Sequence, residues 1–311
     1  MFMPQEAVIT LIVIGSVIVL LFGLFLLDGF ILFNITFRRR PGDKDFAKKE
    51  NPKEKNAPDR LWYFSQNPEE LTLESYDKLN LKGYFLNNHS NKLAILVHGY
   101  HGRYYSLVSQ AKVFTELGYD VLNINNRCHD TSEGKFLTMG EKESRDLIDW
   151  ILFMLKRNPH YQIVLYGISM GSHITMLALG KKNIDPRVKC AILDCGYFSL
   201  KDQLIYTLGS NKYFWPSLHV NAGRFVAKLF YHFSFHKVGS SLVNSTIPMM
   251  FIHGDKDDYV PFVNLNLCSQ AASKSIYTEV HEFVNANHTQ CIKQYETFKQ
   301  YTEDFVNRFI K

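Results

Sequence analysis

Residues 165–174 read LYGISMGSHI, with Ser169 flanked two residues away on either side by Gly167 and Gly171. The stretch follows directly on the apolar run Ile163–Tyr166. A sharp turn from strand to helix forces strained backbone angles on a central serine and leaves its hydroxyl in the open. The residues two before and two after it crowd each other, so both must lack side-chain bulk. At a helix N-terminus the amide dipoles favour developing negative charge. The chemistry implied is nucleophilic attack on a carbonyl. A tight turn that merely contains a serine would read the same, so the pattern needs support from elsewhere in the chain.

Three further stretches supply it. His98-Gly99-Tyr100-His101-Gly102 follows the run LAILV, and a loop there can aim a backbone amide at the carbonyl oxygen under attack. The N–H of Tyr100 with that of Met170 would form a two-donor oxyanion hole. FIHGDKDDYVP (251–261) places acidic residues at the end of an apolar run, where a carboxylate could orient a histidine. Spacing alone leaves Asp255, Asp257 and Asp258 as alternatives. NANHTQC (285–291) puts His288 on a loop before the last helical pattern. The order Ser, Asp, His, each on a loop after a strand, matches a nucleophile–acid–base arrangement.

The remaining histidines have plainer readings. His98 is expected to brace its own loop, His173 to pack one turn after Ser169, and His253 and His281 to occupy strand positions. His101 stands where it could line the mouth of a cleft. No pair has the His-x-x-x-His spacing on a helix that would suggest a metal. The five cysteines, Cys128, Cys190, Cys195, Cys268 and Cys291, are odd in number and lack a CxxC spacing, which argues against a disulfide framework or structural zinc. Neither a cofactor nor a metal is expected.

Elements that could position these groups follow from the hydrophobic pattern. Leu71–Tyr76 and Leu79–Leu86 predict a hairpin. Lys92–Val97 is a continuous apolar run, which suits a strand buried on both faces, and short β-rich runs predict further strands at Tyr119–Ile124, Gln162–Tyr166, Lys189–Leu193, Pro248–Ile252 and Ile276–Phe283. Helical spacing predicts helices at Ser106–Leu117, Glu141–Lys156, Met170–Leu179 and Ile292–Ile310. Strand and helix in alternation imply an α/β fold with a mostly parallel central sheet covered by helices. Residues 198–246 break the alternation and are rich in aromatic residues. They predict a helical cap inserted over the C-terminal edge of the sheet, its rings mostly packed as core, with some lining an apolar site.

Before this domain, Ala7–Leu27 carries no charge, and as a helix it would rise about 31 Å, close to the hydrocarbon thickness. The leader MFMPQE has no basic residue and Arg38-Arg39-Arg40 follows the apolar stretch, which favours an uncleaved anchor over a signal peptide. The basic flank places the C-terminal side in the cytosol. The expected organisation is a transmembrane anchor (1–37), a polar juxtamembrane linker (38–60) and a globular domain (61–311) with the cap inserted at about 198–246. The net charge of +5 is dispersed, and the one dense basic patch borders the apolar segment, so nucleic acid is not an expected partner.

With these motifs in place, residues from about 70 to the end resemble the α/β-hydrolase superfamily. Within it the chain is similar to bacterial membrane-anchored hydrolases related to monoacylglycerol lipases and serine aminopeptidases. HGYHG, GISMG, HGDKDDYVP and the late Asn-His carry the likeness. The resemblance implies Ser169 as nucleophile, His288 as general base and acid, and Asp257 as the orienting carboxylate, because the superfamily's acid falls three residues after the Gly of its HG pair, here Gly254. Relatives often carry Asp-x-Arg-Gly-His-Gly where this chain has Asn125-Asn126-Arg127-Cys128-His129-Asp130, so Cys128 stands in place of a glycine. The implied function is hydrolysis of esters or thioesters of small or amphiphilic acyl substrates at a membrane. A peptidase or amidase is the second reading, and a catalytically silent, membrane-tethered binding module the third. None of these features specifies an oligomeric state.

Overall fold

A computed structural model describes residues 3–39 and 57–311; most of the expected linker, residues 40–56, lies outside the described residues. The N-terminal apolar run forms one helix, α1 (Gln5–Thr36), which is long and apolar enough to cross a membrane. None of its most apolar 18-residue window is buried. A short helix, α2 (Pro58–Ser65), leads into the sheet.

The antiparallel pair β1 (Glu69–Glu74) and β2 (Asn80–Leu86) realises the expected hairpin. β3 (Lys92–Val97), β4 (Asp120–Ile124), β5 (Gln162–Ile168), β6 (Val188–Asp194), β7 (Met249–Gly254) and β8 (Thr278–Phe283) pair in parallel, in the sheet order β1-β2-β4-β3-β5-β6-β7-β8. The inner strands are covered on both faces, so alternate residues enter different cores. Leu93, Ile95 and Val97 of β3 face one layer, and Ala94 and Leu96 face the other. That double burial is why β3 reads as a continuous apolar run. The covering helices are α3 (Val108–Glu116), α4 (Glu143–Arg157), α5 (Met170–Leu179), α9 (Val263–Ala271) and α10 (Tyr295–Val306). The helix expected from Ser106 opens as a 3-10 turn at Tyr104–Leu107 before α3 begins.

Between β6 and β7 lies the cap: α6 (Leu200–Ser210), α7 (Pro216–Phe230) and the single turn α8 (Gly239–Leu242). The expectation that most cap rings pack as core does not hold. Tyr206, Tyr213, Phe214, Trp215, Phe225 and Phe230 are exposed, while Phe233 is buried and Phe198, Tyr231 and Phe235 are half-buried. Composition marks rings that could fill a core. It does not say which side of an amphipathic helix faces a neighbouring apolar element, and here that element is α1.

The second half of α1 is built into the domain. A Cβ at Gly29 would lie 2.5 Å from the carbonyl oxygen of Ala222 on α7, and one at Gly223 would lie 2.7 Å from a Leu32 methyl. Only glycines allow so close an approach of the two helices. Around this crossing, Phe225 meets Phe22 and Phe25 edge-on, and Tyr231 stacks on Phe33 at 3.6 Å. Phe33 and Phe37 are fully buried. Past the helix, the amide of Leu137 donates to the carbonyl of Phe37, and that of Arg39 to the carbonyl of Lys135.

Candidate active site

Because β3, β5, β7 and β8 run in parallel, their C-terminal ends all open on one edge of the sheet. The loops they feed carry every candidate identified above, which is how an α/β sheet gathers distant residues into one crevice.

Ser169 is the pivot. It sits between β5 and α5 with φ +56 and ψ −119, outside the regions ordinary residues favour. Its amide donates to the Asp194 carbonyl at the end of β6 (2.8 Å). The bracketing glycines are sterically required. A Cβ at Gly167 would lie 2.5 Å from the Gly171 carbonyl oxygen, and one at Gly171 only 2.0 Å from the Val97 carbonyl oxygen. A Cβ at Gly99 would sit 3.2 Å from Cβ of Ser169, so the peptide leading into Tyr100 passes directly beside the serine. Met170 begins α5, with its amide at the helix N-terminus.

The Ser169 hydroxyl lies 2.9 Å from Nε2 of His288, and Nδ1 of His288 lies 2.7 Å from Oδ2 of Asp257. The three acids of the β7 loop are thereby separated. Asp257 is buried against the imidazole, and its Oδ1 accepts from the amides of Tyr259 (3.0 Å) and Val260 (2.8 Å). Asp255 accepts from the amide of Asn285 and so laces the acid loop to the histidine loop, while Asp258 is exposed. Burial alone would raise the Asp257 carboxyl. The hydrogen bonds from His253 and His288, with the His288 charge, hold it well below the usual carboxylate range.

His253 has a role that its strand position did not reveal. Its Nε2 is 3.1 Å from Asp257 Oδ2 and 3.0 Å from the Val260 carbonyl, with the ring almost wholly buried. A spacing of four residues across the end of β7 is the one sequence signal that could have pointed to this contact. Tyr259 was also overlooked; its ring lies 5.0 Å from that of His288.

His98, His173 and His281 have structural roles. His98 accepts from the Asn126 amide at Nε2 (3.1 Å), and its Nδ1–H therefore donates to the Gly99 carbonyl (2.8 Å). Burial and the neighbouring His129 lower its pKa well below the ordinary value, so it ties the 98–102 loop down as a neutral ring. His173 is fully buried, stacked on Tyr197 and bonded to the Tyr197 carbonyl (2.8 Å); burial brings its pKa down to about 4. His281 pairs with Glu279. Cys128 adopts φ +65, as a glycine would, and packs opposite Gly134, where a Cβ would lie 2.5 Å from its Sγ. Arg127 secures this turn with bidentate bonds to Asp146 and to Asp77.

Ser169 separates two clefts of about 400 Å³ each. One runs toward Gln110, Thr289 and Ile292. The other runs beneath the cap between α6 and α1 and is mainly apolar. Tyr100, His101 and Tyr259 border both. No acidic side chain lines either cleft among the described residues. Cys195, Asp257 and His288 bring potential metal donors within 4.8 Å of one another. Two of these already bond each other, and burial pushes the Cys195 thiol well above its ordinary pKa, which makes it a poor thiolate ligand.

The family model described as serine aminopeptidase, S33, matches residues 88–241, which take in HGYHG and GISMG but stop before Asp257 and His288. A Bacillus subtilis (strain 168) protein known as the uncharacterized protein YqkD is 27% identical over 234 residues, 73% of this chain and 75% of its own length. Among solved structures, the esterase Pf2001 of Pyrococcus furiosus superposes with a TM-score of 0.67 at 20% identity, over 80% of this chain and 94% of its own. An esterase from Exiguobacterium antarcticum gives 0.58 at 15% identity, over 77% of this chain and the whole of its own. The acylaminoacyl peptidase of Pyrococcus horikoshii gives 0.56 at 17% identity, over 76% of this chain and 41% of its own. With strand order, the strained serine after β5 and the matched segment all agreeing, the chain is an α/β-hydrolase of the serine hydrolase class.

Proposed function

We propose that the protein is a membrane-anchored esterase acting on small or amphiphilic carboxylic esters or thioesters, through Ser169, His288 and Asp257. The observation that carries this reading is the continuous Ser169–His288–Asp257 hydrogen-bond chain, whose serine borders a large apolar cleft. His288 Nε2 takes the Ser169 proton as Oγ adds to the substrate carbonyl. The amides of Tyr100 and Met170 stabilise the resulting oxyanion, each worth about 3–4 kcal/mol in a preorganised site. The imidazolium then protonates the leaving alkoxide or thiolate as its bond to the acyl carbon breaks. A water, deprotonated by His288, adds to the acyl carbon, and the imidazolium returns that proton to Ser169 Oγ as the acyl–oxygen bond breaks and the acid leaves. Asp257 keeps Nδ1 protonated and stabilises the imidazolium.

In this reading residues 1–37 anchor the chain and the domain from residue 61 onward faces the cytosol, as the basic flank favours. The lack of acidic groups along both described clefts supports ester over aminopeptidase chemistry, since capture of a substrate's amino terminus needs a carboxylate. The family model's name favours the peptidase reading, so the test includes both. Full-length protein is assayed with acyl-nitrophenyl esters, aminoacyl-nitroanilides and a fluorophosphonate probe, beside Ser169→Ala. Ester turnover and probe labelling, both abolished by Ser169→Ala, are expected. Faster anilide cleavage would favour the peptidase, and absence of labelling would favour a silent binding module.

A further inference from the structure

α1 does more in this fold than leave the sheet. Its Leu32, Ile35 and Thr36 line the apolar cleft from one side, and Leu200, Leu204 and Leu208 of α6 face them across it, with Ser169 at the floor. Positions 32, 35 and 36 fall on one helical face by their i, i+3, i+4 spacing. The hydroxyl of Tyr100 donates to the Thr36 carbonyl (2.8 Å), so the end of α1 also touches the loop beside the serine. The Gly29–Ala222 and Gly223–Leu32 contacts fix the register of α1 against the cap.

We propose that α1 is part of the substrate site: its last turns form the membrane-side wall of the acyl cleft, and the alkyl chain of a bilayer-resident lipid ester enters sideways along it. The inference rests on the esterase reading and adds the substrate's class and its route. The uncharged run of α1 ends at Leu27, and Ile35 lies eight residues further, about 12 Å along the axis. That distance places the cleft mouth near the headgroup layer when the run spans the hydrocarbon core. The neighbouring cap surface suits that layer. Tyr213, Phe214 and Trp215 are exposed together at the turn into α7, and Tyr213 also lines the cleft. Tyr and Trp concentrate at membrane–water interfaces because one end of each ring system is apolar and the other polar. An alkyl chain drawn from the bilayer along Ile35 would exchange hydrocarbon for apolar side chains without crossing water.

The test uses full-length protein in phosphatidylcholine vesicles and measures the rate at which Ser169 is labelled by ethyl and by hexadecyl fluorophosphonates. Wild type is expected to favour the hexadecyl probe. Ile35→Trp, which narrows the α1 wall, and Leu208→Trp, on the opposite wall, should each lower the hexadecyl-to-ethyl rate ratio at least tenfold. Ile31→Trp changes a similarly exposed α1 residue that does not line the cleft, and should leave both rates within twofold of wild type. A ratio lowered by Leu208→Trp but not by Ile35→Trp would overturn the proposal, because the chain would then occupy the cleft without following α1. An unchanged ratio in both variants, or a wild type without hexadecyl preference, would overturn it as well. Wild type labelled by neither probe would remove the esterase reading and this inference with it, an outcome distinct from labelling with an unaltered ratio.

Discussion

His253 and His288 share one carboxylate oxygen. Oδ2 of Asp257 receives the Nδ1 of His288 at 2.7 Å and lies 3.1 Å from Nε2 of His253. The buried ring on β7 therefore supports the acid from behind while the loop histidine uses it from the front. A hydrogen bond to a charged group is worth about 1.5–3 kcal/mol. His253→Leu should lower kcat/KM by about ten- to a hundredfold without unfolding the protein. His253→Gln, which keeps a donor, should recover most of the loss. Equal activity of the Leu and Gln variants would show that His253 contributes packing alone. Ester kinetics beside a thermal melt separate the two cases.

Two glycines in helices should respond to alanine with opposite signs. Gly171→Ala drives a Cβ to 2.0 Å from the Val97 carbonyl, where both partners are backbone and neither can yield. A loss of about 3 kcal/mol or more, read as failure to fold or a collapsed melting temperature, is expected. At Gly209, in the last turn of α6, a Cβ meets only a Pro216 carbon at 3.9 Å. Gly209→Ala should gain about 0.5–1 kcal/mol through helix propensity. Denaturant titration of the two variants checks both signs.

Acidification should weaken the fold before it reaches the ordinary carboxylate range. His173 is buried with a pKa of about 4, against 6.5 for an unperturbed imidazole. Between those values the unfolded chain binds a proton that the folded chain refuses, so stability falls as pH falls from 6.5 toward 4. At about 1.4 kcal/mol per tenfold difference in proton affinity, the loss approaches about 3 kcal/mol. Asp257 acts in the same direction lower down. Its folded pKa is depressed, so its contribution is complete above about pH 4 and disappears as pH drops toward the folded value. His173→Asn, which retains a donor toward the Tyr197 carbonyl and does not titrate, should flatten the melting-temperature slope between pH 6.5 and 4. A slope identical to wild type would assign the effect to other groups.

Cys128 and Gly134 should behave as a coupled pair. Cys128→Gly suits the φ of +65 and should leave activity within twofold. Gly134→Ala meets both a φ of +134 and the Sγ of Cys128 at 2.5 Å, and should destabilise by about 2 kcal/mol or more. In the double variant the Sγ clash disappears while the backbone strain stays, so a double-mutant cycle should return part of the loss. Strict additivity would mean that the clash relaxes by itself.

β3 and α5 match their predicted bounds residue for residue, because a doubly covered strand and an apolar helix are local signals. β5 runs two residues beyond its prediction, through Gly167 and Ile168, since a glycine in a strand reads as a break. Near the site, the meeting of Ser169 and His288 was legible from three motifs, whereas the His253 contact depends on how the strand end turns. Least legible was the seating of α1 on the cap. It depends on Gly29 and Gly223, nearly two hundred residues apart, and a lone glycine in an apolar run says nothing about where its partner lies.

The glycine crossing between α1 and α7 also limits how the enzyme can move. A cap joined to a helix at backbone contact cannot lift away as an independent flap, because any large swing would have to drag that helix with it. Admission and release are then left to side chains at the seam, on the timescale of rotamer changes rather than of a hinge. A version of the protein trimmed to begin after the helix would not be a simplified enzyme. It would be a vessel with one side missing, its exposed cap rings seeking any greasy surface in place of the one removed.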